Sequence, residues 1–93
     1  MTLPEFKDIL ETTLKARTTF ELLEYHYQWY CFGSGLIAYR INGFNFRLIF
    51  DGKEKELTVE RSGPHEKYNG KPGKKIFSQW TLDVDSIVNE ILK

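Results

Sequence analysis

Ninety-three residues are enough for one domain with a single core, since most domains run about 100–150 residues. Thirteen basic side chains balance thirteen acidic ones, so no global field draws the chain to nucleic acid or to anionic lipid. Cys31 is the one cysteine, which rules out an intramolecular disulfide. No signal-peptide core follows the first residues and no apolar run nears the roughly 18 residues of a membrane span, so a reduced, cytoplasmic protein is expected.

The spacing predicts a helix over residues 3–16. Thr2-Leu3-Pro4-Glu5 matches a capping box, with Thr2 as N-cap and Glu5 as the residue that reaches back to it. Pro4 is tolerated in the first turn, where its missing N–H has no intrahelical partner. Phe6, Ile9, Leu10 and Leu14 form an apolar stripe, and Glu11–Lys15 makes a favourable i,i+4 pair. Residues 17–24 suit either a short second helix or a strand, with extended structure expected from about Leu22 or Leu23. The run 25–32, YHYQWYCF, is nearly all β-favoured. Gly33-Ser34-Gly35 reads as a three-residue hairpin loop. It would pair Cys31 with Ile37, Trp29 with Tyr39 and Tyr27 with Ile41. Tyr25, Tyr27, Trp29 and Cys31 then face inward, and His26, Gln28, Tyr30 and Phe32 outward.

The stretch 36–60 carries the strongest signal. Asn42-Gly43 and Asp51-Gly52 each separate two β-forming runs, and such dipeptides favour the type I′ turn, which needs φ > 0 at both central residues. A two-residue loop at 42–43 pairs Ile41 with Phe44, Tyr39 with Phe46 and Ile37 with Leu48. A second at 51–52 pairs Phe46 with Leu57, Phe44 with Val59 and Arg47 with Glu56. Alternation then puts Ile37, Tyr39, Ile41, Phe44, Phe46, Leu48, Phe50, Leu57 and Val59 on one face, and Ala38, Arg40, Asn45, Arg47, Glu54, Glu56, Thr58 and Glu60 on the other.

Beyond Glu60, glycine and proline break up regular structure. Residues 61–75 hold five basic side chains, Arg61, Lys67, Lys71, Lys74 and Lys75, against one acid, Glu66, and read as a flexible basic loop. Residues 76–80 re-enter ordered structure as a candidate short edge strand, with Trp80 a core or hinge anchor. A last helix spans about 84–92, capped by Asp83 or Asp85, with Val84, Ile87, Val88 and Ile91 on one face. The expected fold is α+β, one domain over residues 1–93: a four-stranded antiparallel meander with N- and C-terminal helices on its apolar face, in the order α-β-β-β-β-α. The polar face is left to solvent or to a partner.

Chemical motifs fail on spacing. Gly63, Gly70 and Gly73 lack the phosphate-loop interval, and Pro72 stands where Ser or Thr should follow Lys71. His65-Glu66 is not followed by histidine at 69, and two histidines with one cysteine do not make a four-ligand zinc site. His26 and Cys31, five apart on one strand, point to opposite faces and form no dyad. Asp83 and Asp85 suit a helix N-terminus. No nucleophile, base and orienting group assemble, so neither an enzyme nor a cofactor is expected. What remains is a constellation of rings and arginines on the outer face: His26, Gln28, Tyr30, Phe32, Arg40 and Arg47. It suggests a small protein-interaction or regulatory module, self-association included, that works through that face or an edge strand. The alternative is nucleic-acid binding, with Arg61, Lys67, Lys71, Lys74 and Lys75 on phosphate and the rings stacking on bases.

Overall fold

A computed structural model describes residues 2–63, 67–80 and 82–93. Helix α1 spans Leu3–Arg17, strands β1 to β5 span Phe20–Gln28, Ser34–Ile41, Phe44–Asp51, Glu56–Arg61 and Lys74–Gln79, and helix α2 spans Val84–Ile91. The strands form one antiparallel meander in chain order. There are five strands among the described residues, not four. The fifth is the 76–80 segment lengthened backward through Lys74 and Lys75, whose charges mask a strand that has Phe77 opposite Val59.

The β2–β3 hairpin matches its expected register, with Ile41 opposite Phe44, Tyr39 opposite Phe46 and Ile37 opposite Leu48. Asn42 and Gly43 both hold positive φ, 53° and 83°, as the tight turn demands. The β3–β4 connection is different. It has four residues between the paired strands, so Phe50 meets Leu57, Leu48 meets Val59 and Arg47 meets Glu60. The expected Arg47–Glu56 pair is therefore replaced by Arg47–Glu60, at 3.2 Å. Glu54 lies in the turn, not on the sheet face. The physical reason is the Asp51 carboxylate, which accepts from the backbone N–H groups of Lys53 (3.0 Å) and Glu54 (3.2 Å) and closes a wider turn. The shift is even, so every inward residue stays inward.

β1 slides further. Tyr25 faces Ile37, Leu22 faces Tyr39 and Phe20 faces Ile41, with a bulge between Leu22 and Glu24. Strand structure thus begins at Phe20 and stops at Gln28, and residues 29–33 form the turn. Phe20 earns its place by packing edge-on against Tyr39, with ring centroids 5.4 Å apart. Tyr25 and Tyr27 pack on the core as expected. Trp29 and Cys31 do not: both are exposed.

Both helices cover the apolar face. Leu3, Phe6, Leu10 and Leu14 of α1 and Val84, Ile87, Val88 and Ile91 of α2 join Ile37, Tyr39, Ile41, Phe46, Leu48, Leu57 and Val59 in one core. Ile9 is the exception in the expected stripe and is exposed. The capping box forms at Thr2 and Glu5, and Asp83 caps α2 by accepting from the Ser86 N–H at 3.3 Å. Glu11 pairs with Lys7 at 2.9 Å in place of Lys15, because it is turned toward the sheet. There its carboxylate accepts the hydroxyl proton of buried Tyr39, also at 2.9 Å, which would otherwise lack a partner. Among the described residues no helix is long and apolar enough to cross a membrane.

Candidate functional site

The outer sheet face is not open. A row of side chains crosses it from edge to edge: Glu24, Ala38, Arg47, Glu60 and Lys75, each opposite the next in register. Ala38, in the middle of that row, is 0% exposed, and Asn45 on the same face is 1% exposed. The segment after β4 supplies cover. The Ser62 N–H carries the β3–β4 ladder one step further, to the Asn45 carbonyl at 2.9 Å, and beyond it the Tyr68 hydroxyl donates to the Glu24 carboxylate on β1. Tyr68 also interacts with Arg47. A side chain from the β4–β5 connection thus reaches back over β3 and β2 to the opposite edge. Alanine at 38 leaves a notch between Glu24 and Arg47, the two groups Tyr68 meets.

These contacts set the local ionisation. The Tyr68 hydroxyl, followed by His26, whose Nε2 lies 2.8 Å from the same carboxylate, holds Glu24 below the usual glutamate value. Burial, reinforced by Glu24, pushes Tyr68 up to about 12. Glu24 therefore stabilises the fold above the ordinary glutamate value, and the effect is lost as pH falls through its lowered pKa. The Tyr68 contribution is complete below its ordinary value of 10.0 and is lost as pH rises toward about 12. Tyr68→Phe should cost about 1 kcal/mol across the neutral range, and the difference from wild type should shrink at both pH extremes. Denaturant titrations of the two proteins across pH check this. Parallel profiles would mean that the Tyr68–Glu24 bond is not made.

The expected outer-face constellation disperses. Arg40 lies opposite Glu21 and Asn45, with its Nε donating to Asn45 Oδ1 at 3.1 Å. Arg47 is largely buried against Glu60, and its Nε has no hydrogen-bond partner among the described residues. His26 and Gln28 are exposed along β1, while Tyr30 and Phe32 sit in the 29–33 turn at one end of the sheet. Of the basic group, Lys67, Lys71, Lys74 and Lys75 are exposed, and Arg61 is exposed with its guanidinium over the Phe44 ring, 5.0 Å from the centroid. His65 and Glu66 lie outside the described residues.

A different cluster takes shape at the end of the sheet that carries the 29–33 and 51–55 turns. Trp29, Tyr30, Phe32 and Trp80 are 74, 71, 69 and 69% exposed. Trp29, expected inward, and Trp80, expected as a core or hinge anchor, are thus both surface rings. Phe32 and Trp80 flank a cleft of about 420 Å³ whose floor includes Leu3, Tyr27, Phe50 and Leu82. That volume falls within the range of ligand pockets. Trp29 and Tyr30 stand edge-on to each other on the same turn, with centroids 5.9 Å apart.

Local backbone builds this end. Phe32 and Gly33 both take positive φ, 57° and 75°, while Cys31 N–H donates to Gln28 O (2.9 Å) and Ser34 N–H to Cys31 O (3.0 Å). A left-handed phenylalanine is uncommon, and here it belongs to a tight turn that ejects consecutive rings from the sheet. Across the gap, the Gly52 N–H donates to Ser34 Oγ at 2.9 Å, tying the two turns together. The sequence held one signal for this cluster. Seven Phe, five Tyr and two Trp are many for one small core, so some rings had to lie outside.

Among the described residues no group of three or more His, Cys, Asp or Glu side chains gathers as a metal site. Comparison with protein-family models, with curated proteins and with solved structures finds no match to this chain.

Proposed function

We propose that this chain is a small, non-enzymatic protein-interaction module whose contact surface is the aromatic end of the sheet rather than its outer face. The observation that carries the reading is the exposure of Trp29, Tyr30, Phe32 and Trp80 beside an apolar cleft. Large rings held out of the core place apolar area in water, where they favour association. Trp and Tyr are also the residue types that dominate interface energetics. The outer face offers less, because its arginines are engaged with Glu60 and Asn45 and part of it is already covered. Affinity capture with the full chain as bait tests the reading when it is quantified against a Phe32→Ala/Trp80→Ala bait of unchanged melting temperature. Losing such an anchor costs about 2 kcal/mol or more, so recovery of the partner should fall about thirtyfold. Equal recovery on both baits overturns the proposal.

A second reading is favoured by a separate feature: Arg61, Lys67, Lys71, Lys74 and Lys75 are all exposed on β4, β5 and the segment that joins them. This suits contact with phosphate, with affinity that falls steeply as salt rises. Flat isotherms against single- and double-stranded DNA and RNA at low salt would remove it.

A further inference from the structure

The cleft at the aromatic end is asymmetric in charge. Lys55 is the one charged side chain among its described lining residues. Its backbone is held at φ 55°, its side chain is exposed, and it takes part in no ion pair among the described residues. Glu54 and Glu56 flank Lys55 in the chain, but neither lines the cleft nor pairs with Lys55 among the described residues, and the Asp51 carboxylate is occupied by the backbone N–H groups of Lys53 and Glu54. The Thr2 hydroxyl, which also lines the cleft, donates to Glu5 at 3.0 Å. Among the described residues the cleft therefore offers apolar side chains, two exposed rings and one ammonium outside any ion pair.

Resting on the interaction reading above, we infer that this cleft receives a flat aromatic side chain from a partner protein that carries a carboxylate beside it, either an adjacent acidic residue or the chain's own C-terminus. The volume, about 420 Å³, lies toward the small end for binding pockets. It suits one anchor side chain rather than the face of a helix. Phe32 and Trp80 supply ring faces for offset or edge-on contact with that anchor. Lys55 selects for negative charge at the rim, where an unpaired cation beside a desolvating surface gains most from a counterion.

The test uses the full chain, labelled with ¹⁵N, and two probes that share one body. N-acetyltryptophan carries the carboxylate and N-acetyltryptophanamide does not. Titrated separately at low salt, both should shift the Trp80 indole N–H and the Gly52 and Lys55 amides. The acid should bind about three- to fivefold more tightly, as expected for one partly exposed ion pair. That preference should vanish in Lys55→Gln and in Lys55→Asn, the second of which suits a left-handed backbone, and should shrink as salt screens the pair. Equal affinity for acid and amide overturns the charge assignment, as does a preference that survives loss of Lys55. Absence of any shift around the cleft overturns the anchor assignment. Either failure is separable from failure of the interaction reading, which falls only if partner capture proves indifferent to Phe32 and Trp80.

Discussion

Tyr39→Ala should be among the most damaging single changes in this chain, costing about 3–5 kcal/mol, the usual range for truncating a buried aromatic ring. Tyr39 lies on β2 between Leu22 and Phe46 in register and is wholly buried. Its ring meets Phe20 edge-on, and its hydroxyl donates to Glu11 at 2.9 Å, so it joins the sheet to helix α1. Domains of this size hold about 5–15 kcal/mol in total, so the variant should sit close to unfolding. Tyr39→Phe separates the two roles. It keeps the ring and removes only the hydroxyl, leaving Glu11 with Lys7 alone, and should cost about 1 kcal/mol. Urea titration gives both values. Similar losses in the two variants would mean that the hydroxyl bond, rather than the packed ring, dominates at this position. Burial, aided by Glu11, also pushes the Tyr39 hydroxyl above its ordinary 10.0. Its stabilising effect is therefore complete below that value and declines as pH rises beyond it.

Parity was the part of this fold legible in the residues. Ile37, Tyr39, Ile41, Phe46, Leu48, Leu57 and Val59 are buried together because alternation with period two survives any even slip. The slip of β4 preserves its inward set, whereas on β1 Tyr25 and Tyr27 stay on the core while Trp29 and Cys31 pass into the turn. Register itself was legible only where the turn was closed by its own backbone, at Asn42 and Gly43 with positive φ. At Asp51 the same type of dipeptide gave a longer turn, because a side chain captured two backbone donors. Dipeptide statistics carry no information on that competition. The cluster of exposed rings was hidden for a related reason. Trp29, Tyr30 and Phe32 are good strand residues by type, and their place in a turn follows from where β1 begins. Phe20 fixes that start through its packing on Tyr39, a contact nineteen positions away along the chain. The cover over Ala38 was equally out of reach, since Tyr68 stands in a stretch without periodicity and its partner Glu24 lies across the sheet.

Gly52 offers the sharpest separation between a glycine kept for its dihedral freedom and one kept for its size. Its φ is not among the positive ones, whereas Gly33, Gly43 and Gly70 are at 75°, 83° and 74°. What constrains Gly52 is space: a Cβ there would lie 1.8 Å from the Phe32 carbonyl oxygen and 2.6 Å from its carbon. Both are backbone atoms that cannot swing aside, so Gly52→Ala should cost about 3 kcal/mol, at the upper end for overpacking. At roughly 4–8 °C per kcal/mol for a domain of this length, that is a large fall in melting temperature. Gly52→Asn should be no better than alanine, although asparagine tolerates positive φ, because it brings the same Cβ. Gly43→Asn should be mild by contrast, since that site demands the left-handed region and asparagine visits it. Calorimetry on the three variants orders them. A benign Gly52→Asn would show that dihedral freedom, not contact with the 29–33 turn, keeps glycine there. The displacement forced by Gly52→Ala falls on Phe32, one wall of the aromatic cleft. Any folded fraction of that variant should therefore also lose affinity for the cleft's ligand, tying the stability of this end of the sheet to the proposed binding.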